Sequence, residues 1–61
     1  MIQETIIYNA NNKKLVTIPN IIPYRAGDYI IINGENYEVF NSYSEFDSKS
    51  ATHNVTVTTL D

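Results

Sequence analysis

Sixty-one residues with a net charge of −3 and no cysteine bound the protein to a single domain, residues 1–61, without disulfides or a Cys/His zinc site. The four basic residues, Lys13, Lys14, Arg25 and Lys49, form no cluster of the kind that displaces counterions from duplex nucleic acid. Apolar runs are too short to span a bilayer, and Met-Ile-Gln-Glu at the start carries no basic region before an apolar core, so a soluble, cytoplasmic protein is expected.

The first predicted element runs from Ile2 to Tyr8, where β-branched residues dominate and Ile2, Ile6 and Tyr8 alternate with Gln3, Thr5 and Ile7. Asn9-Ala10-Asn11-Asn12-Lys13 then reads as a turn, because asparagine tolerates left-handed backbone and bonds its own main chain. Lys14 to Ile18 is the returning arm of this first hairpin. From Pro19 to Gly27, two prolines four positions apart exclude a central strand or a helix interior. Ile21, Ile22 and Tyr24 in this long connection are costly to leave bare, so they are expected either to plug one end of the fold or to meet a partner.

Gly27 to Phe40 carries the strongest local signal, Asn33-Gly34 between two apolar arms, since both central residues of a type I′ turn need positive φ. Two registers fit. A two-residue loop sets Ile30 opposite Tyr37 and Ile32 opposite Glu35, whereas a four-residue loop over Asn33 to Asn36 sets Ile32 opposite Tyr37 and Ile30 opposite Val39. The second pairs apolar with apolar throughout and is the favoured expectation. In both, Ile30, Ile32, Tyr37 and Val39 share one face, while Tyr29, Ile31, Glu38 and Phe40 share the other, which is too apolar to be purely solvent-facing.

Asn41-Ser42-Tyr43 extends this second arm, and Ser44 to Ala51 reads as a polar loop anchored by Phe46. Thr52 to Leu60 closes the chain as a strand with His53, Val55, Val57 and Thr59 on its core side. The sum is an all-β fold of five short strands in a small, strongly bent antiparallel sheet or barrel, SH3-like or alternatively OB-like. Gly27-Asp28 followed by Ile30, Ile32, Gly34, Tyr37 and Val39 resembles a pattern in small SH3-like barrels, a Gly-Asp turn leading into a strand, a tight turn and a Tyr-x-Val strand. In size and simplicity the chain also looks like the short accessory proteins of tailed bacteriophages. That resemblance implies a virion component at a structural joint or a small inhibitor of a host factor.

Catalysis is not expected. His53 is the only histidine; Asp47 and Glu45 are the carboxylates able to approach it across the loop, but nothing in the spacing demands it, so it reads as structural or simply exposed. Glu45-x-Asp47 with Ser44, Ser48 and Ser50 is the nearest approach to a cation site, but it lacks the carboxylate number and the glycine of a calcium loop and reads as a solvated turn. Asn54-Val55-Thr56 matches a glycosylation sequon without a secretory signal to give it meaning. No cofactor or metal is predicted.

The five tyrosines and two phenylalanines are the richest resource. Tyrosine is enriched at protein interfaces, and so short a chain encloses little core of its own. The candidate partner-binding residues are Ile21, Ile22, Tyr24, Arg25, Tyr29, Phe40, Tyr43 and Phe46, with Tyr24, Tyr43 and Phe46 expected to be exposed. An edge strand is a second device, assigned to Thr56–Thr59, where few charges deter pairing. The expected function is a noncatalytic protein-protein interaction module, with a protein partner or self-association. The alternative is single-stranded nucleic-acid binding by Tyr24, Tyr43 and Phe46 with Lys13, Lys14 and Arg25.

Overall fold

The computed structural model describes residues 1–60. Five strands form one sheet: β1 (Ile2–Tyr8), β2 (Lys14–Ile18), β3 (Tyr29–Ile32), β4 (Glu35–Phe46) and β5 (Ser50–Thr59). Their order is β2-β1-β5-β4-β3, and the sheet curls strongly into a half-barrel. The all-β class and the five strands follow the sequence reading, but the sheet is mixed. The two ends of the chain meet in a parallel β1–β5 pair, Ile2 opposite Ser50 through Tyr8 opposite Thr56. β5 returns antiparallel along β4 and fills the gap beside β1, which makes it the central strand. Of the segment expected as an edge, Thr56 is flanked by β1 and β4, whereas Val57–Thr59 run past Tyr8 and pair with β4 alone; the outermost strands of the sheet are β2 and β3.

The turns explain the strand ends. Asn9 closes the first hairpin by accepting from the Asn11 and Lys13 amides through its side-chain oxygen, at 2.9 and 3.0 Å, and Asn12 takes a φ of 63°. In the second hairpin, Ile32 faces Glu35 and Ile30 faces Tyr37. The two-residue loop prevails over the favoured four-residue one, because Asn33 (φ 50°) and Gly34 (φ 82°) both adopt the left-handed backbone of a type I′ turn. The twist match of that turn outweighs the apolar pairing of the longer loop. The third turn is far shorter than the polar loop expected over Ser44 to Ala51. β4 continues to Phe46 and β5 starts at Ser50, because Ser44 and Glu45 find cross-strand partners in His53 and Asn54.

Entry into β3 is set by a tight turn in which the Asp28 amide donates to the Arg25 carbonyl at 3.0 Å, with Gly27 at a φ of 99°. The Gly27 amide donates to the Val39 carbonyl and the Val39 amide to the Asp28 carbonyl, both at 2.8 Å. Two residues thus oppose one, a bulge whose first position needs the positive φ that glycine supplies. A second irregularity between Val39 and Asn41 leaves Phe40 unpaired in β4. Such extra residues bend a strand, which suits a sheet that must curl.

The core lines the inner face: Ile7, Ile30, Val39, Val55 and Val57 are buried, and Leu15, Val16, Ile18, Tyr24, Ile32 and Tyr37 pack against them. The valine side of β5 is the core side, as its alternation requires. With one sheet and no second layer, the remaining cover must come from the connection between β2 and β3.

Candidate interaction surface

That connection, residues 19–28, crosses the inner face as a strap, and three polar side chains from three strands hold its main chain. Thr5 of β1 is fully buried; its hydroxyl donates to the Asn20 carbonyl at 2.7 Å and accepts from the Ile22 amide at 2.8 Å. The Tyr24 carbonyl accepts twice, from the Ser42 hydroxyl and from His53 Nε2, each at 2.9 Å. Because a carbonyl only accepts, Nε2 of His53 carries its proton, and in the neutral ring Nδ1 accepts from the Ser44 hydroxyl at 3.0 Å. His53 is buried and structural, with neither Asp47 nor Glu45 as its partner. The Tyr24 side chain packs on the core, so the exposure expected of it is corrected. Its ring is needed inside because the half-barrel has no facing sheet.

Asp47 and Glu45 do not converge either. Asp47 folds back on its own turn, accepting from the Lys49 amide (2.7 Å), the Ser50 amide (2.8 Å) and the Ser50 hydroxyl (3.0 Å). These donors hold its carboxyl below the usual range. Glu45 accepts from the Asn54 side chain on the opposite face, where Asn54 is buried. Among the described residues, no group of three or more His, Asp or Glu is placed to hold a metal ion.

Outward-facing residues separate into two regions. Across β1, β5 and β4 the surface is mainly polar, with Glu4, Thr52 and Glu45 in one cross-strand row, and its exposed Ile2 and Tyr43 stand apart from one another on β1 and β4. Beyond it, toward the β3 edge, the surface turns apolar. Tyr29 and Ile31 are each 71% exposed and Phe40 53% exposed, and Leu60 lies beyond Asn36, to whose carbonyl its amide donates. Tyr29 is opposite Glu38 and Ile31 opposite Asn36, so both side chains stand on the outer face of the last strand. Burying such a side chain is worth about 1.5–3 kcal/mol, a gain this chain leaves unused.

The predicted partner residues therefore do not form one site. Tyr29 and Phe40 share the apolar region, and Ile31 belongs with them. The alternation of the hairpin already placed Ile31 on that face. Tyr43 is exposed within the polar region, and Phe46, 76% exposed, ends β4 at the opposite end of the sheet from the Asn33-Gly34 turn. Ile21 and Ile22 belong to the strap. Arg25 is exposed in the turn before β3, while Lys13 and Lys14 lie by the β2 edge, across the full width of the sheet. Lys13, Lys14 and Arg25 therefore form no cluster, and Glu4 and Glu45 stand near Tyr43; Arg25 lies in the turn before Tyr29, and Lys49 in the turn after Phe46.

Comparison of the chain with protein-family models, with curated proteins and with solved structures gave no match.

Proposed function

We propose that this protein is a noncatalytic protein-interaction module whose contact face is the outer surface of the β3–β4 hairpin. The observation that carries this reading is the joint exposure of Tyr29, Ile31 and Phe40 on one face of a single-layer sheet. An exposed apolar group of this kind, rimmed by Glu38 and Asn36, has the makeup of an interface centre: aromatic and aliphatic anchors inside a polar margin. The strap gives the face a fixed backbone to stand on, so that binding orders little new chain.

A photo-crosslinking residue at position 31, with a control at Thr17 on the far edge, tests the proposal in cells that make the protein. A discrete protein adduct at position 31 and none at position 17 is the expected result; equal labelling at both, or none at either, overturns it. The identity of the adduct also separates the two settings that the phage resemblance implies, a structural neighbour at a virion joint or a host factor.

A further inference from the structure

The residues of this contact face carry a second unused resource, their main chain. In a two-residue hairpin the flanking pair, Ile32 and Glu35, is hydrogen-bonded, and so is the alternate pair Ile30 and Tyr37. The N–H and C=O groups of Tyr29 and Ile31 therefore point away from β4, along the open edge of the sheet. Among the described residues, no strand other than β4 packs against β3. The two edges differ in protection. β2 begins with Lys14, next to Lys13, and its ladder with β1 is broken by a bulge opposite Ile7 and Tyr8. Both features discourage pairing. β3, Tyr-Ile-Ile-Ile, has neither charge nor bulge within it.

We propose that β3 pairs with β3 of a second copy of this chain, antiparallel about a two-fold axis at Ile30, joining two half-barrels into one ten-stranded sheet. This rests on the reading of the β3–β4 face as a contact surface and names its partner. The register is self-complementary. Tyr29 falls opposite Ile31 of the second copy, so the outward groups of both residues exchange hydrogen bonds, and two aromatic–β-branched pairs form on the outer face. The same two-fold carries the Arg25–Asp28 turn of each copy alongside the Asn33-Gly34 tip of the other, setting the Arg25 charge near Glu35. A four-residue edge buries less than the roughly 800 Å² per partner of a standard stable interface. The dimer is therefore a weak one that forms with concentration, and the symmetric pairing closes it at two copies.

Sedimentation equilibrium on the full chain up to about 1 mM, with amide hydrogen exchange at low and high concentration, tests this. A monomer–dimer equilibrium is expected, with the Tyr29 and Ile31 amides slowing as concentration rises. Ile31→Lys should raise the dimer dissociation constant by roughly tenfold or more, since it loses the Tyr–Ile pairs and puts a charge on each copy; Thr17→Lys on the other edge should leave it unchanged. Ile31→Pro, which removes the outward N–H and the isoleucine side chain but no hydrogen bond to β4, gives the same answer should the lysine variant prove poorly folded. A strict monomer at the highest concentration overturns the proposal, as does a dimer insensitive to both position-31 variants or an open series of higher species. If the wild type is monomeric while the position-31 crosslink to another protein persists, self-pairing fails and the contact-face reading stands. Loss of both results removes both.

Discussion

His53 Nε2 donates to the carbonyl of Tyr24 at 2.9 Å, across 29 positions of sequence. One side chain on the central strand thereby fixes the strap that covers the core. The bond also orders the ring: with Nε2 protonated, Nδ1 is free to accept from Ser44, so β4, β5 and the strap are tied through a single imidazole. Replacing His53 by Ala should leave the Tyr24 carbonyl with Ser42 alone and open a void beneath the strap. Loss of about 1–3 kcal/mol is expected, read as a lower urea midpoint, with faster amide exchange across residues 20–27 than across β1. Unchanged exchange in the strap would contradict this role.

Thr5→Val isolates the other strap anchor. The side chains are close in volume, but valine cannot serve the Asn20 carbonyl or the Ile22 amide, which become unpaired under the strap. A destabilisation of about 1–3 kcal/mol is expected with the fold retained. The same substitution at exposed Thr17 should move stability by about 0.5 kcal/mol or less, so the difference between the two denaturation midpoints is the measurement.

Gly34 has open space where a Cβ would stand, yet its φ is 82°. Gly34→Ala should therefore cost only backbone strain, roughly 1–2 kcal/mol. Asn33→Gly should be nearly neutral, as glycine accepts the same left-handed backbone. Thermal unfolding of both variants distinguishes a turn-controlled register from one set by side-chain pairing, in which neither change would matter.

Two groups give stability a pH dependence of opposite sense. Asp47 is held below its usual range by the Lys49 and Ser50 donors. Its contribution is present above the unfolded value near about 4 and is lost as pH falls through the lower folded value. Tyr37 is pushed up by partial burial, with the charge of Glu35 and a hydrogen bond to it adding to the effect. Its neutral form is favoured in the fold, so its contribution is present below about 10 and is lost as pH rises through the higher folded value. Asp47→Asn should flatten the acid limb of a stability–pH curve and Tyr37→Phe the alkaline limb. A curve unchanged by either variant would mean these contacts do not form in solution.

Much of the fold was legible in the chain because it is locally encoded. The asparagines of the first turn, the Asn33-Gly34 hairpin and the valine side of β5 all act within a few residues, through allowed φ and alternation of side chains. The register of the second hairpin follows turn geometry at Asn33-Gly34 and not the apolar pairing that favours the longer loop. The third turn looked too long because Ser44 and Glu45, polar in sequence, have partners that only folding reveals. For the contact face, alternation had already put Tyr29, Ile31 and Phe40 together; what it could not supply was whether the chain covers them.

By itself, then, the sequence determined an all-β chain of five strands, the places of its first two turns and the alternation of faces along each strand, because those properties depend on neighbours one to four residues away. Tertiary structure decided which strands became edges, where the strap ran and what His53 did. Those outcomes depend on contacts between residues far apart in sequence: β5 inserts between β1 and β4, so that Thr56 is flanked on both sides while Val57–Thr59 pair with β4 alone, and β3, with Tyr29 and Ile31, is left as an outermost strand.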